Sequence, residues 1–308
     1  MRKKGIIFLG STAIMAVSIL AGCGGSGNTD QGNNHTESST IDANAEISAD
    51  ELAKTASEKL KEVKSYSFKT ETKMDYTMSA NGNKMDMKMD GIISGESVID
   101  SKESHLKIDY NASALDQDLK MDNEAYIISE NDGSFVSYSK SNGNTESGKW
   151  IKSETKNNID LESMKNSDII DQIANGKIEA AIADGSYKVN DKDVYKLEAT
   201  IPGEIFEEVY SNMYGGAQTS EAFSGADFSQ IKAKTEIYIY KDSMLPARTY
   251  MDIKEYGEAL IQQVIDNAST TQKVETTFGD FFVDMTINDY NQIDDIVIPD
   301  EVLKEAGE

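Results

Sequence analysis

The sequence has little cysteine, histidine, proline and tryptophan. Of its 308 residues one is cysteine, one is tryptophan, two are histidine and three are proline. A lone cysteine cannot close a disulfide within the chain, so the folded part must be held together by its apolar core. The thiol and imidazole side chains on which many nucleophilic and zinc enzymes depend are therefore scarce.

Catalytic motifs are missing as well. The sequence contains no G-x-S-x-G and no H-E-x-x-H segment, so the common acyl-transfer and zinc-hydrolase templates do not apply. His35 lies in a polar segment, and His105 lies beside Glu103 and Lys107 on the polar side of a predicted strand. A solvated surface histidine is the expected state there. We predict no enzyme activity, no catalytic residue, no cofactor and no metal site.

Basic residues are strongly outnumbered. The chain has 30 Lys and Arg against 54 Asp and Glu, which gives a formal net charge of -24. A surface this acidic argues against a nucleic-acid partner, because phosphates require basic patches. The same charge repels an anionic membrane surface. Solubility is the simplest explanation of the charge, and we prefer it to a specific cationic partner.

One long apolar run stands at the start of the chain. The basic residues of Arg2–Lys4 precede an apolar run over Ile6–Leu20, which is too short to span a bilayer comfortably. The segment that follows, Ala21-Gly22-Cys23, resembles the bacterial lipobox, in which small residues directly precede a lipid-modified cysteine. The resemblance implies that residues 1–22 are a lipoprotein signal peptide and that Cys23 becomes the acylated first residue. An ordinary secretory signal followed by a chance cysteine is the alternative.

A lipid on Cys23 would hold the protein at the cell membrane, on its extracytoplasmic face. Two acyl chains anchor a protein stably, so this arrangement requires no transmembrane helix. Residues 24–47 are mostly Gly, Ser, Asn, Thr, Asp and Gln, a composition that cannot bury enough apolar surface to fold. We therefore predict a signal peptide over 1–22, a lipidated flexible tether over 23–47 and one folded domain over 48–308.

The folded domain is predicted to begin with a helix and a long hairpin. Ser48 and Glu51 form a capping-box pattern, and apolar residues recur at helical spacing through 49–64. From Tyr66 to Ala80 apolar residues and threonines alternate with mostly charged residues, and the turn signal Asn81-Gly82-Asn83 follows. The return segment repeats the alternation with methionine. This pattern predicts two strands, each with one dry and one wet face.

The remainder of the chain predicts an α+β fold dominated by antiparallel sheet. Short strands are expected near residues 106–110, 115–121, 126–129, 135–138 and 150–152. One or two short helices within 159–176, a strand pair near 178–183 and 193–201, a helix over 203–213 and a loop over 215–227 should follow. A second hairpin over 231–240 and 244–256, a helix or strand over 257–267, a strand over 281–287 and a closing segment over 296–299 complete the prediction.

These features together resemble a known group of proteins. The lipobox and tether, the segment Leu60–Phe68, the methionine-rich strands and the ending from Tyr290 to Pro299 resemble a family of uncharacterised Gram-positive lipoproteins. That family is similar to the lipoprotein-carrier superfamily of LolA and LppX. The resemblance implies a strongly curved antiparallel sheet, a half-barrel, with helices against its concave face. The space between them takes an acyl chain or another lipid in the carriers.

The candidate ligand site consists of methionine and aromatic side chains that should share the dry face of the first hairpin. Thioether side chains are flexible and polarizable, so a wall of them can adapt to acyl chains of varied shape. A fully packed core, in a module that contacts other macromolecules, is the alternative; soft-metal binding is weaker, because no His or Cys is near. The candidate residues are Tyr66, Phe68, Met74, Tyr76, Met78, Met85, Met87 and Met89.

Overall fold

The dominant feature of the fold is an antiparallel sheet of twelve strands. The computed structural model describes residues 47–80, 83–114, 117–129, 134–143, 148–155, 167–205, 231–267 and 274–307. The strands are β1 (Ser65–Ala80), β2 (Asn83–Val98), β3 (Glu103–Ala114), β4 (Gln117–Ser129), β5 (Phe135–Gly143), β6 (Ile151–Thr155), β7 (Ala180–Ile182), β8 (Tyr187–Val189), β9 (Lys192–Pro202), β10 (Lys232–Tyr240), β11 (Pro246–Asp252) and β12 (Val274–Asn288). The helices are α1 (Ala49–Lys61), α2 (Ser167–Ala174), α3 (Lys254–Asn267) and α4 (Asp300–Ala306).

The strand order shows that the described sheet is open. Hydrogen-bonded neighbours follow the order β6-β5-β4-β3-β2-β1-β12-β11-β10-β9-β7, and β8 pairs with β9. Strands β6 and β7 therefore stand at opposite ends. The prediction of an α+β protein dominated by antiparallel sheet is confirmed. Residues 1–46, which include the predicted signal peptide, Cys23 and nearly all of the predicted tether, lie outside the described residues.

Strand β1 shows why the sheet has two unlike faces. Tyr66, Tyr76 and the residues of the same parity between them are mostly buried, whereas Lys69 and Glu71 are exposed. The pairing register carries this alternation to the neighbouring strands, since Met74 lies opposite Met89 of β2 and opposite Phe281 of β12. We call the face that carries Tyr66 the inner face and the opposite one the outer face.

The main core lies on the inner face beneath α1 and α2. Ser48 caps α1, because its side-chain oxygen accepts a hydrogen bond of 3.2 Å from the backbone N–H of Glu51. Leu60 of α1 and Ile173 of α2 are fully buried in one cluster with Tyr66. The predicted helix over 49–64 thus forms, but it ends at Lys61. We define the main core as this cluster.

Two glycines of β2 let large side chains lie across the inner face. A Cβ atom on Gly91 would come within 2.6 Å of the Thr72 hydroxyl, and the Tyr110 ring lies next to it. A Cβ atom on Gly95 would come within 3.1 Å of the Phe68 ring. Glycine in a strand commonly marks such a close approach.

The C-terminal segment packs on the outer face. Ile296 and Val302, the latter in α4, form a buried cluster with Tyr126, Tyr138 and Trp150. Helix α4 was not predicted, since the closing segment was expected to end at Pro299. A seven-residue helix directly after a proline leaves little periodicity in the sequence from which to predict it.

Several predicted elements differ from the structure. The two strands expected near 115–121 and 126–129 form the single strand β4, because its ladder with β3 continues past Asn123. The strand predicted over 244–256 is wrong beyond Asp252. Helix α3 starts at Lys254, and it also settles the open assignment of 257–267. The pair near 178–183 and 193–201 is three strands, β7, β8 and β9.

Residues 156–166 and 206–230 lie outside the described residues. They include the first half of the predicted 159–176 helical region, most of the helix predicted over 203–213 and the whole loop predicted over 215–227.

Candidate functional site

A cluster of methionine and aromatic side chains lies on the inner face beside the main core. The antiparallel pairing of β1 with β2 places Met74 opposite Met89, Tyr76 opposite Met87 and Met78 opposite Met85, so thioethers from both strands meet. We call this set the methionine cluster. Its buried members are Met74, Tyr76, Met87, Met89, Tyr110, Ile261 and Phe278, and its partly buried members are Met78, Met85, Ala112, Ala114, Met121, Ile265 and Phe281.

Helix α3 forms one wall of the methionine cluster. Ile261 and Ile265 of the helix pack into the cluster. A Cβ atom on Gly257 would lie 2.2 Å from the Phe281 ring, so the missing side chain lets the helix approach β12. The backbone N–H of Ile253 donates to the Phe281 carbonyl oxygen at 3.0 Å. The glycine thus lets α3 lie against β12, and the hydrogen bond ties the residue before the helix to the same strand.

Two tyrosines introduce hydroxyl groups into the cluster without charge. The Tyr76 hydroxyl donates to the Met87 Sδ atom at 2.8 Å. Burial raises the pKa of Tyr76 to about 12, and burial together with the neighbouring Tyr76 raises the pKa of Tyr110 to about 12. Both phenols are therefore neutral at physiological pH, and the tyrosines leave the cluster uncharged.

The cluster is less completely covered on the side of β3 and β4. Met85, Ala112 and Met121 are half-buried, and Leu119 is 37% exposed. The register aligns Met89, Ala112 and Leu119 across three strands. Small alanine side chains between larger apolar ones form a shallow apolar surface at this margin.

Comparison with known proteins identifies the family. The model of the family of unknown function DUF6612 matches residues 48–307. The chain belongs to this family. No curated protein matches the DUF6612 chain.

Solved structures resemble the DUF6612 chain only distantly. LprF from Mycobacterium bovis is 10% identical over 82% of this chain and 96% of its own, with a TM-score of 0.41. A beta-barrel-like protein of domain of unknown function DUF1849 from Brucella abortus is 11% identical over 73% and 98%, with a TM-score of 0.23. A DUF1329 family protein from Desulfovibrio piger is 11% identical over 79% and 92%, with a TM-score of 0.20. At these TM-scores the matches support no statement about fold or function.

The structure of the DUF6612 chain divides the eight predicted site residues between two clusters. Tyr66 and Phe68 belong to the main core. A strand rises about 3.3 Å per residue, so β1 is too long for one site to occupy its whole inner face. The six residues that the structure brings together are Met74, Tyr76, Met78, Met85, Met87 and Met89.

Sequence reasoning missed several residues of the cluster. Tyr110 lies on a strand that was predicted, and its alternation with charged residues was a usable signal. Ile261 and Ile265 lie in residues 257–267, for which the sequence predicts a helix or a strand without deciding between them. The last strand is predicted to start at residue 281, whereas in the structure it starts at Val274. The prediction therefore leaves out Phe278.

The remaining observations concern His105, metal-binding groups and membrane-spanning helices. His105 lies on the outer face, where its ring stacks on Tyr126 at 4.3 Å between centroids and its Nε2 atom lies 2.8 Å from Glu124 Oε1. Within the described residues no group of three or more His, Cys, Asp or Glu side chains is placed to hold a metal ion. In the same part of the chain no helix has the length and apolarity needed to cross a membrane.

Proposed function

We propose that this protein is a membrane-anchored, extracytoplasmic lipoprotein whose folded domain binds or carries a hydrophobic ligand, a lipid or an acyl chain, between sheet and helices. The observation that supports the proposal most is the methionine cluster. It brings flexible thioethers from two strands against helix α3, and its side chains on the side of β3 and β4 are half-buried. Such side chains can rearrange around an apolar guest at little cost in strain.

The contrast with the main core supports this position for the ligand. Leu52, Leu60 and Ile173 in the main core are at most 1% exposed, and well-packed branched side chains leave no room for a guest. The methionine cluster instead has partly exposed members on β2, β3 and β4. A ligand can therefore enter at this margin without unfolding α1 and α2.

The proposal also includes the lipid anchor on Cys23 and the curvature of the sheet. A diacylated Cys23 would hold the domain at the extracytoplasmic face of the cell membrane, and residues 24–47 would give it reach. We propose that the sheet forms the half-barrel of the LolA and LppX carriers. The open antiparallel order of the strands and the position of α1, α2 and α3 against the inner face agree with that arrangement.

The first experiment asks whether the mature chain holds lipid. Residues 23–308 are produced with Cys23→Ser, so that no covalent lipid contributes, and the purified protein is extracted with organic solvent for mass spectrometry. The uncharged fluorophore N-phenyl-1-naphthylamine, which becomes bright in apolar sites, reports uptake by the delipidated protein. We expect co-purified lipid and saturable fluorophore binding.

A matched pair of variants tests whether the fluorophore binds on the inner face. Ala112→Phe fills the surface between Met89 and Leu119 and should weaken fluorophore binding about tenfold, which corresponds to about 1.4 kcal/mol. Ser113→Phe adds the same ring to the outer face of β3 and should leave binding unchanged. If no lipid is recovered and the fluorophore does not bind, the proposal fails.

A packed interaction module is the second candidate function. The completeness of the main core favours it, because a domain that only contacts partner molecules needs no internal space. It predicts a cooperative thermal transition that apolar ligands leave unchanged. A transition temperature that rises with added fluorophore would favour the carrier instead, since a ligand that binds the folded state stabilises it.

A further inference from the structure

The inner face carries no charge over most of the sheet. At every inner-face position of β1 to β6 and β10 to β12, the side chain is apolar, aromatic, a hydroxyl or an amide. Charged residues of these strands lie on the outer face, where some form ion pairs, such as Arg248 with Asp284 at 2.7 Å. A charged group that entered the inner face would meet no counter-charge on these strands.

The inner face also changes chemistry from one side to the other. On β4 it runs from Leu119 and Met121 to Asn123, and β5 presents three serines to the same side. Tyr138 and Val136 of β5 instead face outward into the C-terminal cluster, and Phe135 at the start of the strand packs against the main core. We call this polar part the serine zone, and its half-buried members are Asn123, Ala125, Ser137, Ser139 and Ser141.

Unused hydrogen-bonding atoms lie on this face. The Asn123 Oδ1 atom is buried without a hydrogen-bond partner, and so are the hydroxyls of Thr70 and Thr235. Thr70 is 0% exposed and lies in the same cross-strand row as Asn123 and Ser141. Buried polar atoms normally have partners. Thr70 and Thr235 lie among main-core side chains, so it is the Asn123 Oδ1 atom that indicates capacity for a polar but uncharged guest.

The two zones adjoin. Met121 of the methionine cluster is two residues from Asn123, and Ser141 faces Asn123 from β5. Alternate residues of a strand lie roughly 6.7 Å apart and neighbouring strands about 4.8 Å apart. One lipid molecule is therefore long enough to contact both zones.

We propose that the inner face selects a neutral amphiphile, with its hydrocarbon on the methionine cluster and its hydroxyl, ester or amide groups on the serine zone, and that it rejects lipids with a free anionic head group. Burial of an unpaired charge is strongly unfavourable. The net charge of the chain adds to the rejection, because loss of Arg2, Lys3 and Lys4 with the predicted signal peptide would leave 27 basic against 54 acidic residues, and such an excess repels anions. This inference rests on the proposed function and names its ligand class.

Monoolein and oleate test the inference, because they share one acyl chain and differ in head-group charge. Each is used to displace N-phenyl-1-naphthylamine from the mature chain with Cys23→Ser at about pH 8, where a carboxylic acid is ionised. We expect monoolein to displace the fluorophore at a concentration at least about tenfold lower than oleate. Equal displacement by the two lipids would overturn the inference and leave the proposed function intact. Fluorophore that never binds would remove both.

A charge placed in the serine zone should reverse the selectivity. Ser139→Lys supplies a counter-charge and should lower the oleate concentration needed for displacement about tenfold, with little effect on monoolein. Asn142→Lys adds the same charge to the outer face of β5 and should leave both values within about twofold. Circular dichroism checks that each variant is folded, and Ser137→Lys replaces Ser139→Lys if the latter is not. Oleate binding that rises equally in the Asn142→Lys control would show a surface effect and contradict the assignment.

Discussion

The main core and the methionine cluster occupy the same face of the same strands, yet they differ in chemistry. The main core is built largely from Leu, Ile, Ala and aromatic side chains packed under α1 and α2. The methionine cluster replaces the branched residues with thioethers and has one helix, α3, as its wall. Branched side chains have few rotamers and specify one packing, whereas methionine tolerates several. One region therefore determines stability, and the other is suited to a changeable occupant.

The largest expected effect tests whether the main core can be weakened alone. Ile173→Ala removes a fully buried side chain of α2 and should lower the free energy of unfolding by about 2–5 kcal/mol, measured by urea denaturation. Fluorophore affinity should stay within about twofold, because Ile173 belongs to the other cluster.

The matched control for this variant is Ile92→Ala. Ile92 is 39% exposed on the outer face, and its truncation should change stability by at most about 0.5 kcal/mol. Loss of fluorophore binding by a folded Ile173→Ala variant would show that the two clusters act as one unit and would remove the distinction drawn between them.

The next effect concerns the wall of the methionine cluster. Gly257→Leu would place side-chain atoms where the Phe281 ring lies, so we expect a loss of about 1–3 kcal/mol in unfolding free energy and weaker fluorophore binding. The sign of the change in unfolding free energy identifies the close contact, because the same substitution in an exposed helix would stabilise the protein by about 0.8 kcal/mol.

Glu258→Leu provides the control for Gly257→Leu. Glu258 is exposed one residue further along α3, so its substitution adds the same side chain away from β12. Hydrogen exchange of the α3 amides should rise in the Gly257 variant and stay unchanged in this control. Equal behaviour of the two variants would mean that α3 does not depend on the close approach at Phe281.

The two regions also differ in how much the sequence predicts. The hairpin of β1 and β2 follows from strict alternation around a short turn, and its register then places Met74 opposite Met89. The sequence predicts two strands in place of β4 because Asn123 interrupts the apolar alternation of its inner-face residues. Asn123 belongs to the serine zone, where the inner face is polar, and the pairing of β4 with β3 continues through it without a break.

Contacts between distant segments could not be predicted. Residues 253–267 contain Gly257 and several β-branched residues, so local propensity decides neither helix nor strand. The close contact of Gly257 with Phe281 depends on a residue of β12 that is twenty-four positions away in sequence. For the same reason alternation showed that Tyr66 and Met74 share a face, but it could not show that they belong to different clusters.

The smallest effect tests the charge-free interior by pH. Because burial raises the pKa of Tyr76 from 10.0 to about 12, the folded state holds its proton more tightly than the unfolded state. The resulting contribution to stability is complete below pH 10 and is lost as the pH rises toward 12. By pH 11 the loss should be on the order of 1 kcal/mol for this residue. Tyr76→Phe should reduce the loss, measured by urea denaturation between about pH 9 and 11. An undiminished loss in the Tyr76→Phe variant would mean that the Tyr76 phenol is hydrated in the folded protein, and the methionine cluster would then be too wet to favour an uncharged apolar guest.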